Sequence, residues 1–87
     1  MDWHARYTQQ ARWTASLRAY LFQKAGLAAA RRILEIGCGT GALLQEFPAK
    51  TAAAVHGVDL SLSSIKQASV HAPKSFPVNA NGQFLPY

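Results

Sequence analysis

Between Ile33 and Gly41 the chain reads Ile-Leu-Glu-Ile-Gly-Cys-Gly-Thr-Gly and continues into Ala42-Leu43-Leu44. Apolar β-formers lead in, and the three glycines stand at alternate positions where side chains would block a tight turn. This pattern predicts a short buried strand, a glycine turn and a helix over Gly41–Phe47 that ends at Pro48. Such a helix would aim free N–H groups and its positive dipole end at whatever lies over the turn. The expected occupant is a nucleotide-like ligand carrying at least one anionic group.

The flanking sequence supplies the rest of an α/β unit. From about Asp2 to Gly26, Trp3, Tyr7, Trp13, Leu17, Tyr20 and Leu21 recur at helical spacings, and no Pro or Gly intervenes before Gly26. One helix is expected there, or two with a break near residues 8–10, with the aromatic face turned to the core rather than over a ligand. Leu27–Ala30 forms a short turn. Arg32–Ile36 is then the first strand, and Ala52–Val58 a second that ends in Asp59. Ser61 is a good N-cap for a helix running to about His71, with Leu62, Ile65 and Ala68 on one face. Pro73 stops that helix. Phe76–Ala80 is a third strand before the turn signal Asn81-Gly82. Helical crossovers between short apolar strands imply a parallel sheet with right-handed connections.

Composition narrows the class of protein. At 87 residues, 49% hydrophobic and 15% charged, the chain is one small globular domain. It contains no run of about 18 apolar residues, so no membrane span is expected. The N-terminus lacks the layout of a signal peptide, and one cysteine excludes an internal disulfide framework. A reducing cytoplasm is the expected address. The net charge of +5 is scattered, with only Arg31 and Arg32 adjacent, which describes a solvated surface and not a nucleic-acid footprint. No recurring His/Cys/Asp spacing suggests a metal. Cys38 sits inside the turn without a suitably placed His partner and reads as a small filler. His56, in mid-strand, is expected to be packed or edge-exposed. Neither it nor His4 or His71 is expected beside the glycine turn as a general base.

Two cofactor patterns compete for the turn. Gly37-x-Gly39-x-x-Ala42, with Asp59 about 20 residues on to take ribose hydroxyls, fits a dinucleotide and hence half of an NAD(P)-dependent oxidoreductase. The other pattern is Glu35-x-Gly37-x-Gly39-x-Gly41. A carboxylate two residues before the first glycine would repel a pyrophosphate and suits a ligand with an amino group there. S-Adenosyl-L-methionine carries an ammonium, a carboxylate, a sulfonium and an adenosine, and no phosphate. The plain alternatives are that Glu35 pairs with Arg31 or Arg32 at the surface and that Asp59 only caps the following helix.

The stretch from Ile33 to Gly41 resembles the signature of the class I S-adenosylmethionine-dependent methyltransferases. Val58-Asp59-Leu60-Ser61, with Ile65 and Ala68, is similar to that family's second motif. Asn81-Gly82-Gln83-Phe84-Leu85-Pro86-Tyr87 is similar to its third. The nearest likeness is to the small-molecule methyltransferases of the ubiquinone and menaquinone type, and it covers about residues 30–87. The resemblance implies a Rossmann-like parallel sheet, here truncated after the third strand, preceded by an N-terminal aromatic helical segment over residues 1–30. Residues 31–87 would then be the first half of a cofactor-binding domain. By position, Glu35 and the turn Gly37, Cys38, Gly39 and Gly41 would hold the methionine end of the cofactor. Asp59 would accept the ribose hydroxyls and Leu60 would pack on the adenine. Asn81, followed by Gly82, stands where the family usually has an acid for the adenine amino group. Tyr7 and Trp13 would belong to a lid.

The family's sheet has seven strands, and its acceptor pocket is built from parts that lie beyond the third. The cofactor-binding portion alone is therefore expected to be inactive toward its unidentified, small-molecule acceptor. A truncated, inactive relative that self-associates is the non-enzymatic reading. A three-stranded parallel sheet leaves the first strand as an open edge, so a homo-oligomer is expected through it.

Overall fold

The computed structural model describes residues 2–87. The N-terminal stretch divides at Thr14 into α1 (Trp3–Trp13) and α2 (Ala15–Ala25). The break falls later than the sequence suggests because Thr14 turns its hydroxyl back onto Ala11 O (3.3 Å), an alternative to continued helix that Thr offers readily. Asp2 caps α1 by accepting from Ala5 N, and Gly26 ends α2 in the left-handed conformation (φ 75°). A 3₁₀ turn over Leu27–Ala29 then delivers the chain to β1 (Arg32–Ile36).

The remaining elements are β2 (Ala54–Asp59), α3 (Leu62–His71) and β3 (Phe76–Asn79). All three strands are parallel in the order β1-β2-β3, with Ile36 opposite Val58 and Val58 opposite Val78. The α/β, Rossmann-like class is as expected, and β1 lies at an edge. Ser61 does cap α3, accepting from Ser64 N at 3.2 Å. No helix among the described residues is long and apolar enough to cross a membrane.

The expectation for the segment after the glycine turn is corrected. The segment after the glycine turn is not an α-helix over Gly41–Phe47 but a 3₁₀ helix over Leu44–Ala49 with Pro48 inside it. Pro48 has no N–H to give Leu44 O, and the few residues between Gly41 and Pro48 are too short to nucleate an α-helix. The tighter 3₁₀ geometry accommodates the proline. The dipole argument for an anion over the turn loses its helix.

One face of the sheet carries the core. Cys38, Leu44, Phe47, Val55, Ile65, Ala68 and Ala72 are buried together, with Phe22, Leu27 and Ile33 packed against them. Gly57 of β2 lies beneath the glycine turn. A Cβ there would come within 2.8 Å of Cys38 Sγ and 2.9 Å of Leu44 Cδ1. Only glycine lets the turn press directly onto the strand.

The aromatic face of α1 and α2 is not core, contrary to expectation. Trp13 is 72% exposed and Leu17 61%, while the buried residues of the two helices are Ala11 and Arg18. Leu62 also stays outside, at 53% exposed. Helical spacing identifies a common face but not which face meets a neighbour. Here Arg18 takes the inner position because its guanidinium finds partners there. Across the sheet's other face, the C-terminal residues fold back, and Tyr87 Oη lies 3.1 Å from Nδ1 of His56, whose ring stacks on Phe76. His56 is thus packed, as expected.

Candidate functional site

A cleft of about 590 Å³ opens between the inner sides of α1 and α2, the glycine turn, and the ends of β1 and β2. Its floor is the turn itself. Gly37 (φ 75°), Gly39 (φ 57°) and Gly41 (φ 93°) are all left-handed, a conformation costly to side-chain-bearing residues. Gly37 N and Cys38 N both donate to Val58 O, at 2.7 and 3.0 Å, which ties the turn to the end of β2.

Asp59 closes this arrangement. Its Oδ2 accepts from Gly39 N at 2.9 Å and its Oδ1 from Ser61 N at 2.8 Å, so one carboxylate joins the turn to the entry of α3. Each oxygen keeps a lone-pair direction for a further donor. Asp59 is therefore more than the plain helix-entry residue of the simpler reading.

Glu35 projects from β1 into the same cleft. Its Oε1 is buried without a hydrogen-bond partner, and neither Arg31 nor Arg32 pairs with it. Burial, and secondarily the Glu46 carboxylate, push its pKa up to about 7, with Arg18 opposing. A buried unpaired carboxylate oxygen is costly, and this one sits where an added cation would relieve it. The Cys38 thiol is pushed up to about 11, chiefly by burial and then by Glu35 and Asp59, which disfavours the thiolate, and its side chain packs in the core.

Arg18 went unrecognised in the sequence as a residue of this site. Its Nη2 and Nε bind Glu46 at 2.8 and 3.1 Å, while Nη1 donates to Ala11 O and to Thr14 Oγ1. Those contacts use four of its five N–H groups and leave one. Only the fold could reveal this, since Arg18 and Glu46 come from elements far apart in sequence. Thr40, 3% exposed, was also missed; its hydroxyl lies 2.8 Å from His4 Nδ1. His4 thereby sits on the glycine turn, where no histidine was expected.

The other candidates divide between this cleft and its surroundings. Tyr7, Glu35, Gly37, Cys38, Gly39 and Asp59 line the cleft together, and Gly41 completes the turn without lining it. Leu60 and Gly82 line a smaller cavity of about 200 Å³, which shares Gly37 and Asp59 with the large one. Trp13 lines neither cavity. Asn81 lines neither; its Oδ1 accepts from Gln83 N (2.8 Å) in a turn. Asn79 does more locally, donating from Nδ2 to Asp59 O and Leu60 O at 3.0 Å each. No group of three or more His, Cys, Asp or Glu side chains among the described residues could hold a metal ion.

A parallel sheet whose first strand ends in a left-handed glycine turn, with a carboxylate at the end of the second, defines an α/β fold of the Rossmann-like class. Residues 33–85 match the family model of a methyltransferase domain. The chain belongs to that family and corresponds to the N-terminal part of a class I S-adenosylmethionine-dependent methyltransferase. It is 43% identical over 47 residues to the ubiquinone biosynthesis O-methyltransferase of Psychrobacter cryohalolentis, covering 54% of this chain and 18% of that one. To the protein of the same name from Alkalilimnicola ehrlichii it is 43% identical over 53 residues, 61% of this chain and 21% of the other. Among solved structures, it resembles MccD protein (TM-score 0.67, 25% identity, 79% of this chain and 33% of that one). It also resembles a TehB-like SAM-dependent methyltransferase from Corynebacterium glutamicum (TM-score 0.57, 26% identity, 86% and 43%). The chain thus spans about a fifth of the length of the curated relatives it matches.

Proposed function

We propose that this chain binds S-adenosylmethionine and forms the donor-binding part of a methyltransferase acting on a small molecule. The observation that carries the reading is Glu35 Oε1, buried and unpartnered in the cleft. An ammonium supplies what that atom lacks, and its charge would return the carboxyl to its ionised form. Arg18 would offer its remaining N–H to the amino-acid carboxylate, and the turn at Gly37, Cys38 and Gly39 would pack along the same end. Asp59 would use its free lone pairs for the ribose hydroxyls. Because Asp59 borders both cavities, the smaller one, with Leu60 and Gly82, is the natural place for the adenine. Residues 1–30 would act as the wall or lid, through Tyr7, and residues 31–87 as the cofactor-binding half-domain.

When bound, the cofactor supplies a methyl group on sulfonium sulfur, which passes to an acceptor nucleophile as the carbon–sulfur bond breaks to leave a thioether. The chain's own residues hold and orient the donor, and positioning accounts for much of the rate in such a displacement. The names of the curated relatives favour a hydroxyl oxygen as acceptor.

The dinucleotide reading is disfavoured by two features. Glu35 would face a pyrophosphate with like charge, and the six-residue 3₁₀ helix after the turn offers little dipole to bind one. Titration calorimetry of the chain with S-adenosylhomocysteine and with NAD is expected to give heat with the first only. Heat with NAD alone would overturn the assignment. Exposed Leu34 and Ile36 on edge strand β1 further support pairing with a second copy, which light scattering at rising concentration would detect as a dimer. A monomer at every concentration would refute that pairing.

A further inference from the structure

Little apolar burial holds α1 over the cleft. Ala11 is its one buried residue, while Trp3 and Tyr7 stack on each other with Trp3 54% and Tyr7 40% exposed. The polar contacts converge on His4 instead. Its Nδ1 meets Thr40 Oγ1 of the glycine turn at 2.8 Å, and its Nε2 meets Gln45 Oε1 of the 3₁₀ segment at 3.3 Å. Gln45 Nε2 in turn donates to Thr8 Oγ1 of α1 at 3.4 Å. The imidazole also lies flat on His71, the last residue of α3, with centroids 3.5 Å apart and planes 2° from parallel. One side chain therefore joins α1 to the turn, the 3₁₀ segment and α3. The turn, α1 and α3 all contribute walls of the cleft.

We propose that His4 is a positioning residue that clamps α1 against the glycine turn, and that its stack on His71 makes the clamp sensitive to protonation. The proposal rests on the cofactor reading above for its meaning but not for its geometry. With Gln45 presenting an oxygen, His4 Nε2 carries a hydrogen, and in the neutral ring Nδ1 accepts from the buried Thr40 hydroxyl. A first proton is tolerated, because the Thr40 hydroxyl can rotate to accept. Protons on both rings would put two like charges face to face, with centroids 3.5 Å apart. The charged side chains on the packed elements are Asp2, Arg6 and Arg12 on or beside α1, Glu46 and Lys50 on or beside the 3₁₀ segment, and Lys66 and Lys74 on or beside α3. Among the described residues none forms an ion pair with either imidazole, so none offsets the second charge.

The test compares the unmodified chain with His71→Phe, which keeps a flat partner without a charge, and His4→Phe, which keeps the stack but not the Thr40 contact. His71 is exposed, so its substitution leaves the core intact. S-Adenosylhomocysteine affinity is measured by calorimetry, and α1 amide protection by hydrogen exchange without ligand, at about pH 7.5 and about pH 5.5. On acidification the unmodified chain is expected to lose about tenfold more affinity than His71→Phe, and its α1 protection to fall about tenfold while that of His71→Phe holds. Protonation of Glu35 weakens binding in both chains alike, so the difference isolates the stack. His4→Phe is expected to lower affinity and α1 protection already at the higher pH. Equal pH profiles for the unmodified chain and His71→Phe in the exchange measurement would overturn the proton-sensitive clamp. Unchanged α1 protection in His4→Phe would overturn the clamp itself. Normal exchange behaviour without any binding heat would instead refute the cofactor reading and leave the clamp standing.

Discussion

Glu35→Gln is expected to make the free chain more stable while removing most of its affinity for S-adenosylhomocysteine. The two effects share one cause. Burial raises the Glu35 pKa from 4.5 to about 7 in the folded chain. A raised acid binds its proton more tightly when folded, so this contribution to stability is fully present below about pH 4.5 and is lost as pH rises through about 7. Glutamine removes the ionisation and with it the loss. Because Glu35 is only part-buried, the gain above pH 7 is about 1 kcal/mol after solvent screening, or roughly 5 °C in melting temperature. Below about pH 4.5 the two chains should melt alike. Ligand affinity moves the other way, since glutamine cannot pair with an ammonium as a charge, and a loss of about a hundredfold is expected. Melting curves at two pH values and calorimetry check both halves. A variant that melted lower at alkaline pH would show that Arg18 already compensates the ionised carboxylate.

Asp59→Ala is expected to be the most damaging single change at the site. It strands two backbone donors, Gly39 N and Ser61 N, and frees the turn from the entry of α3. Each donor left without its charged acceptor costs about 1–2 kcal/mol, so denaturant titration should show a loss of about 2–3 kcal/mol. On the cofactor reading, affinity for S-adenosylhomocysteine should fall by more than a hundredfold, because the ribose acceptor disappears as well. Asp59→Asn keeps one carbonyl acceptor and should fall between the two on both measurements. If Asp59 acted only as a loop anchor, its alanine variant would lose stability yet bind the ligand unchanged wherever it remains folded.

Much of this molecule is written in short stretches of chain. The bounds of β1, the Ser61 cap, the Gly26 stop and the left-handed glycines each depend on one or two neighbouring residues, and each is found where the local chemistry points. The 3₁₀ segment departs from expectation because the periodicity of Leu43, Leu44 and Phe47 says helix while Pro48 forbids its α form. Trp13 and Leu62 depart because spacing groups residues on a face without saying what lies opposite.

The amino-acid sequence by itself determines the parallel α/β order, the glycine turn and the placing of carboxylates at the ends of the first two strands, since these follow from backbone sterics and local pattern. The tertiary structure alone decides that Glu35 is buried without a partner, that Arg18 points inward to Glu46, and that His4 reaches Thr40 across 36 positions of chain. Desolvation and long-range hydrogen bonds exist only once distant segments are packed together, so no short stretch can encode them alone.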